Sequence, residues 1–136
     1  MRLNAATNGA IRILMVCRQD LPLTMPEMAQ RLGLGEAMVL KSCQELMQAG
    51  FIIGVRGRGG GYRLARAPDQ ITVMEIVDLF EPEENLFPCR LNTQRQCSIL
   101  AICKLRRACE SAYSAFRAEL DKLTLADLSL EAPLKI

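Results

Sequence analysis

Arg56-Gly57-Arg58-Gly59-Gly60-Gly61-Tyr62-Arg63-Leu64 is the stretch on which the fold turns. Glycines permit positive φ and close backbone approach. The run therefore predicts a turn between two short strands, Phe51-Ile52-Ile53-Gly54-Val55 before it and Tyr62-Arg63-Leu64 after it. A phosphate-cradling loop would also use glycines. However, a P-loop needs Lys-Ser/Thr at the start of a helix and a dinucleotide fingerprint needs a following helix N-terminus, whereas here the chain continues as strand. The arginines of this turn instead suit phosphates or a narrow minor groove.

Upstream of the turn the apolar spacing is helical. Asn8 to Arg18 carries Ile11, Leu14, Met15 and Arg18 at that spacing, with Ala10, Ile13 and Val16 widening the stripe into a mostly buried helix. Leu21-Pro22-Leu23 breaks it. Thr24-Met25-Pro26-Glu27 then has the form of a capping box, opening a short helix to Leu32. Gly33-Leu34-Gly35 turns the chain into a third helix, Glu36 to Ala49, with Val39, Cys43, Leu46 and Met47 on one face and Gly50 as a left-handed cap. Helix, glycine turn, helix and a glycine-rich hairpin together predict a winged helix-turn-helix, in which the second helix of the pair enters the major groove.

Charge is distributed in the same sense. Residues 1–66 hold nine Lys/Arg against four Asp/Glu, whereas residues 67–136 hold eight against eleven, so the basic half is the one suited to a polyanion. The chain has no histidine, which removes most acid–base and triad constellations. Glu81, Glu83 and Glu84 read as a solvated acidic linker, and an enzyme is not expected. No apolar run approaches the roughly 18 residues that span a bilayer, so no membrane partner is expected and the cytoplasm is the default. In that reducing compartment the six cysteines are expected to be ligands, sensors or core residues before they are disulfides.

Downstream, Thr72 to Glu75 forms another capping box opening a helix. Cys89, Cys97 and Cys103 follow, with seven and then five residues between them, an arrangement that lets a loop fold three soft ligands around one centre. Cys103 opens a long helix. Leu105, Cys109, Ala112, Tyr113, Phe116, Leu120 and Leu123 form a stripe along about 30 Å of it. So small a domain cannot easily bury such a stripe alone, which favours a homodimer.

Several segments resemble, in this order, the Rrf-two-type winged-helix transcriptional regulators. They are Met1-Arg2-Leu3, Leu46 through Ile52, Arg56-Gly57-x-Gly59-Gly60-Gly61-Tyr62-x-Leu64, Ile71 through Val77, and Leu123-Thr124-Leu125-Ala126-Asp127-Leu128. The resemblance implies a mainly α fold with a small β-wing: a winged helix-turn-helix DNA-binding domain (1–80), a cysteine-bearing cluster loop (81–103), and a dimerisation helix with C-terminal tail (104–136). It implies a homodimer on a palindromic operator in double-stranded DNA. By the family's pattern Ala37, Leu40, Lys41 and Gln44 at the start of the third helix read bases, with Arg56 and Arg58 on the wing. Lys41 can donate to guanine O6/N7 and Gln44 suits adenine.

The three loop cysteines resemble the members that ligate an iron–sulfur cluster, 4Fe-4S in preference to 2Fe-2S, and most of all the nitric-oxide-sensing repressors. The spacing also suits the iron-responsive members. The cluster-assembly regulators place a histidine three residues after the last cysteine, where this chain has Arg106. In the nitric-oxide sensors a carboxylate from the partner subunit's first helix can complete the ligand set. The matching position is Asn8, whose neutral amide oxygen is a hard donor beside thiolates. Cys109 is softer, but it stands six residues beyond Cys103, about 240° round a helix. The resemblance then implies a fourth iron open to water or a small thiol. Three other readings of the same cysteines remain: structural zinc, a metal-free thiol–disulfide sensor, and an electron carrier.

Overall fold

A computed structural model describes residues 3–81 and 98–128. In them the order is α1 (Ala5–Val16), α2 (Met25–Leu32), α3 (Glu36–Gln48), β1 (Ile52–Val55), β2 (Gly61–Leu64), α4 (Val73–Phe80) and α5 (Lys104–Asp121). This is the mainly helical, winged architecture expected from the sequence. Short 3-10 turns at Pro68–Gln70 and Leu100–Ile102 precede α4 and α5.

Local chemistry sets the helix limits. The first helix starts three residues before Asn8, because Asn4 caps it: its side-chain oxygen accepts from the Thr7 amide at 2.8 Å. It also stops at Val16, two residues short of Arg18, in extended backbone at Cys17. Both expected capping boxes are present. Thr24 accepts from the Glu27 amide while the Glu27 carboxylate accepts from the Thr24 amide at 2.8 Å, and Thr72 and Glu75 do the same. Gly33 ends α2 in the left-handed region at φ 61°, and Gly50 follows α3 at φ 77°.

α1 lies across α3 and α4, and α2 packs on both α1 and α3. The core joins Ala10, Ile13 and Leu14 of α1 to Met28, Val39, Cys43, Leu46, Ile52, Ile71 and Ile76, all within 0% exposure. Each large aliphatic side chain so buried contributes about 1.5–3 kcal/mol relative to exposure.

The wing is tied to the helix-turn-helix. β1 and β2 pair antiparallel from Ile52 opposite Leu64 to Val55 opposite Gly61. Beyond that ladder, Leu23 donates its amide to the Tyr62 carbonyl at 2.9 Å and accepts from the Tyr62 amide at 2.8 Å. Leu23 immediately precedes the Thr24 cap, so the same few residues start α2 and hold the wing. Gly61 at φ 150° permits this approach, since a Cβ there would stand 2.6 Å from the Leu23 carbonyl carbon and oxygen.

The chain after α5 returns to the α4 start. Val73 donates to the Leu123 carbonyl and Leu125 to the Ile71 carbonyl, each at 2.8 Å, and Leu125 is buried in the main core. Asp78 of α4 holds Arg117 of α5 with contacts of 2.5 and 2.7 Å, and Arg117 also donates to the Tyr113 hydroxyl at 3.0 Å. The apolar stripe read along the last helix is therefore divided. Tyr113 is buried and Cys109, Phe116 and Leu120 half-buried, while Ala112 and Leu123 are exposed and Leu105 is 72% exposed.

Candidate nucleic-acid interface and cysteine-bearing segment

α3 has a fixed rotation about its axis, because Val39, Ser42, Cys43 and Leu46 are all buried. The opposite side carries Ala37, Leu40, Lys41 and Gln44, every one exposed. At spacings of three, four and seven residues these form one contiguous patch. Lys41, with its side chain 78% exposed, lies 4.0 Å from half-buried Glu45, a pairing loose enough to break at little cost. Gly35 caps α3 without a side-chain hydrogen bond. On the wing, Arg56 and Arg58 are exposed, and Gly57 and Gly59 hold positive φ angles of 100° and 81°. The structure thus gathers the four helix residues on one face and leaves both wing arginines open to solvent.

Of the cysteines read as ligands, Cys89 and Cys97 lie outside the described residues, as do Glu83 and Glu84. Cys103 is half-buried at the N-cap of α5, its sulfur accepting from the Arg106 amide at 3.4 Å. Arg106 in turn pairs with Glu110 at 2.8 Å. Asn8 is exposed on α1, one turn beyond the Asn4 cap. Among the described residues no three His, Cys, Asp or Glu side chains gather as a metal site.

Glu81 corrects an expectation. The solvated linker expected of Glu81 with Glu83 and Glu84 does not hold at Glu81, which is 8% exposed. Its Oε1 accepts from the buried Thr7 hydroxyl and from the Asn4 amide, each at 2.6 Å, while the Asn4 side chain donates to the Phe80 carbonyl at 2.9 Å. One carboxylate thus joins the first turn of α1 to the end of α4, at the entrance to the cysteine-bearing segment. The acidic run concealed it. Its available signal is Asn4-x-x-Thr7, two short polar side chains at the head of a mostly apolar helix.

Cys17 and Cys43 belong to the core. Burial pushes the Cys17 thiol up to about 12, with nearby Cys43 adding to the effect, and burial pushes Cys43 up to about 11. Cys43 lies 3.9 Å from the Met28 sulfur. These thiols are packing groups in their present surroundings.

The family model for Rrf2, described as iron-dependent transcriptional regulator, matches residues 3–131. The chain belongs to the Rrf2 family. It is a DNA-binding transcriptional regulator, and the family is not one of enzymes. Relatives of this Rrf2 protein include "Protein aau3" of Rhizobium meliloti, 34% identical over 98% of this chain and 88% of that protein. Another is the HTH-type transcriptional repressor NsrR of Streptomyces coelicolor, 36% identical over 94% of this chain and 88% of that one. Among solved structures, T. potens IscR superposes with a TM-score of 0.75 at 24% identity, covering 94% of this chain and 85% of that one, which establishes the common fold. No helix among the described residues is long and apolar enough to cross a membrane.

Proposed function

We propose that this Rrf2 protein is a cytoplasmic, homodimeric repressor whose affinity for a palindromic operator is gated by an iron–sulfur cluster and released by nitric oxide. The single observation that carries the proposal is the position of Cys103. It caps the N-terminus of α5, at the end of the segment that begins beside the Glu81 carboxylate. The likeness to a repressor named NsrR, together with the spacing of Cys89, Cys97 and Cys103, supports the assignment.

Cys89, Cys97 and Cys103 would hold the cluster, and Asn8, at the position where the nitric-oxide sensors supply a carboxylate, would be a weak donor that leaves the fourth iron open to water or a small thiol. Bound there, the cluster would supply thiolate-ligated iron open to attack by nitric oxide. The chain's own residues supply the rest. The Arg106 amide directs a hydrogen bond to the Cys103 sulfur, a contact of the kind that tunes such centres. Glu81 fixes one end of the cysteine-bearing segment to α1, and Asp78 with Arg117 fixes α5 to α4. Ligation of a cluster by this segment would therefore act on elements packed directly against the reading helix, since α1 lies on α3. The apolar residues left exposed on α5 and the turn before it, Leu105 and Ile102 among them, suit an interface with a second copy. In this reading residues 1–80 bind DNA, 81–103 hold the cluster and 104–136 dimerise.

The test is anaerobic purification with iron and sulfide analysis and a visible spectrum, followed by operator binding on addition of nitric oxide or an iron chelator. Charge-transfer bands and DNA release by nitric oxide are expected. A colourless, iron-free protein after anaerobic reconstitution eliminates the cluster, and release by chelator alone replaces nitric oxide with iron supply as the signal.

A further inference from the structure

The exposed patch on α3 is half polar and half aliphatic. Lys41 offers donors and Gln44 a donor and an acceptor, but Leu40, 41% exposed, and exposed Ala37 offer neither. Solvent-exposed leucines are ordinary in isolation. This one lies between Ala37 and Gln44 on the side of α3 opposite the buried face, and in a DNA regulator that side is the reading surface.

A leucine laid on a base edge strips water from any donor or acceptor beneath it without replacing the hydrogen bond. In the major groove the thymine C5-methyl is the apolar group that avoids this cost. We infer that Leu40, assisted by Ala37, is a specificity-determining residue that selects a thymine through its C5-methyl, beside the base pairs contacted by Lys41 and Gln44. The inference rests on α3 being the reading helix. It also makes Lys41 the available donor, since its 4.0 Å contact with Glu45 leaves the ammonium able to turn toward a guanine edge.

The experiment separates the two layers. The full chain selects duplexes from a random pool, and each thymine of the selected duplex is then replaced by deoxyuridine, which removes a methyl and alters no base-pairing group. Binding is read by fluorescence anisotropy at constant salt. One thymine contacted by each reading helix is expected to weaken binding about four-fold when demethylated, the equivalent of one buried methylene. The Leu40→Ala variant, altered at an exposed site, is expected to bind the thymine and uracil duplexes equally. Indifference of the unsubstituted protein to every uracil replacement overturns the inference, and so does an undiminished preference in Leu40→Ala. Lys41→Ala serves as the control. Weakened binding by that variant with no uracil effect keeps α3 as the reading helix and removes only the methyl assignment, whereas no effect of either change removes both.

Discussion

Thr7→Val and Glu81→Met, made singly and together, test the buried carboxylate contact between α1 and α4. The Thr7 hydroxyl and Glu81 Oε1 are 2.6 Å apart, with Thr7 at 0% and Glu81 at 8% exposure. A hydrogen bond to a charged group contributes roughly 1.5–3 kcal/mol, and leaving one partner buried without the other costs its desolvation as well. Valine keeps threonine's shape but leaves Glu81 without the hydroxyl. Methionine keeps the length of glutamate but strands both Thr7 and the Asn4 amide. Each single change is therefore expected to cost about 2–3 kcal/mol, or roughly 6–10 °C in Tm at this chain length. The double variant, apolar on both sides, is expected to cost less than the two singles added, by about 1.5–3 kcal/mol. Urea unfolding at one fixed protein concentration measures the cycle. Additivity within about 0.5 kcal/mol would refute the direct contact.

Two further outcomes follow from the wing and the core. Gly61→Ala places a Cβ 2.6 Å from the Leu23 carbonyl in a backbone region that alanine avoids. It should cost about 1–3 kcal/mol and weaken DNA binding, whereas Gly54→Ala, whose Cβ would meet the Met47 sulfur at 3.9 Å, should change either by little. Equal losses in unfolding and binding titrations would contradict the wing anchor. The buried thiols give a pH dependence. Folding raises the Cys17 thiol from 9.0 to about 12 and Cys43 from 9.0 to about 11, so the unfolded chain releases these protons first. Their contribution is fully present below pH 9 and is lost as pH rises through the window up to about 12, so stability measured by denaturation should fall over that range. In cluster-free protein at pH 8 a maleimide should label half-buried Cys103 and Cys109 well before buried Cys17 and Cys43, and rapid labelling of the core pair would count against that burial.

Much of this architecture was legible because local rules and tertiary packing agree. Thr24 with Glu27 and Thr72 with Glu75 announce helix starts through a spacing that only a helix rewards, and both caps form. The glycine run announced the wing for the same reason. The start of the first helix differs for a plain reason: the apolar stripe begins near Asn8, while the cap is a polar residue at Asn4. Glu81 was illegible for a different reason. Its neighbours in sequence are acidic, but its partners are 77 and 74 residues away, and no periodicity reports such a contact. The stripe on α5 showed where apolar residues lie, not which side the domain covers. Tyr113 turns inward and Leu105 outward, a division set by the Asp78–Arg117 pair and the return of Leu125 to the core. On the α3 face, the family resemblance points to Ala37, Leu40, Lys41 and Gln44, and all four are exposed there.

The same Thr7–Glu81 contact sets an order of events during synthesis. Its acceptor is made 74 residues after its donor, which at roughly 5–20 residues per second is a delay of about 4–15 s. During that interval α1 can already rest on α3, but the end of α4 has not arrived to close over its first turn. The nascent chain therefore carries an incompletely covered N-terminal helix until α4 emerges, and a chaperone that shields apolar surface would have its natural opportunity there. Slowing translation after Gly50, before α4 has left the ribosome, should lengthen that exposure.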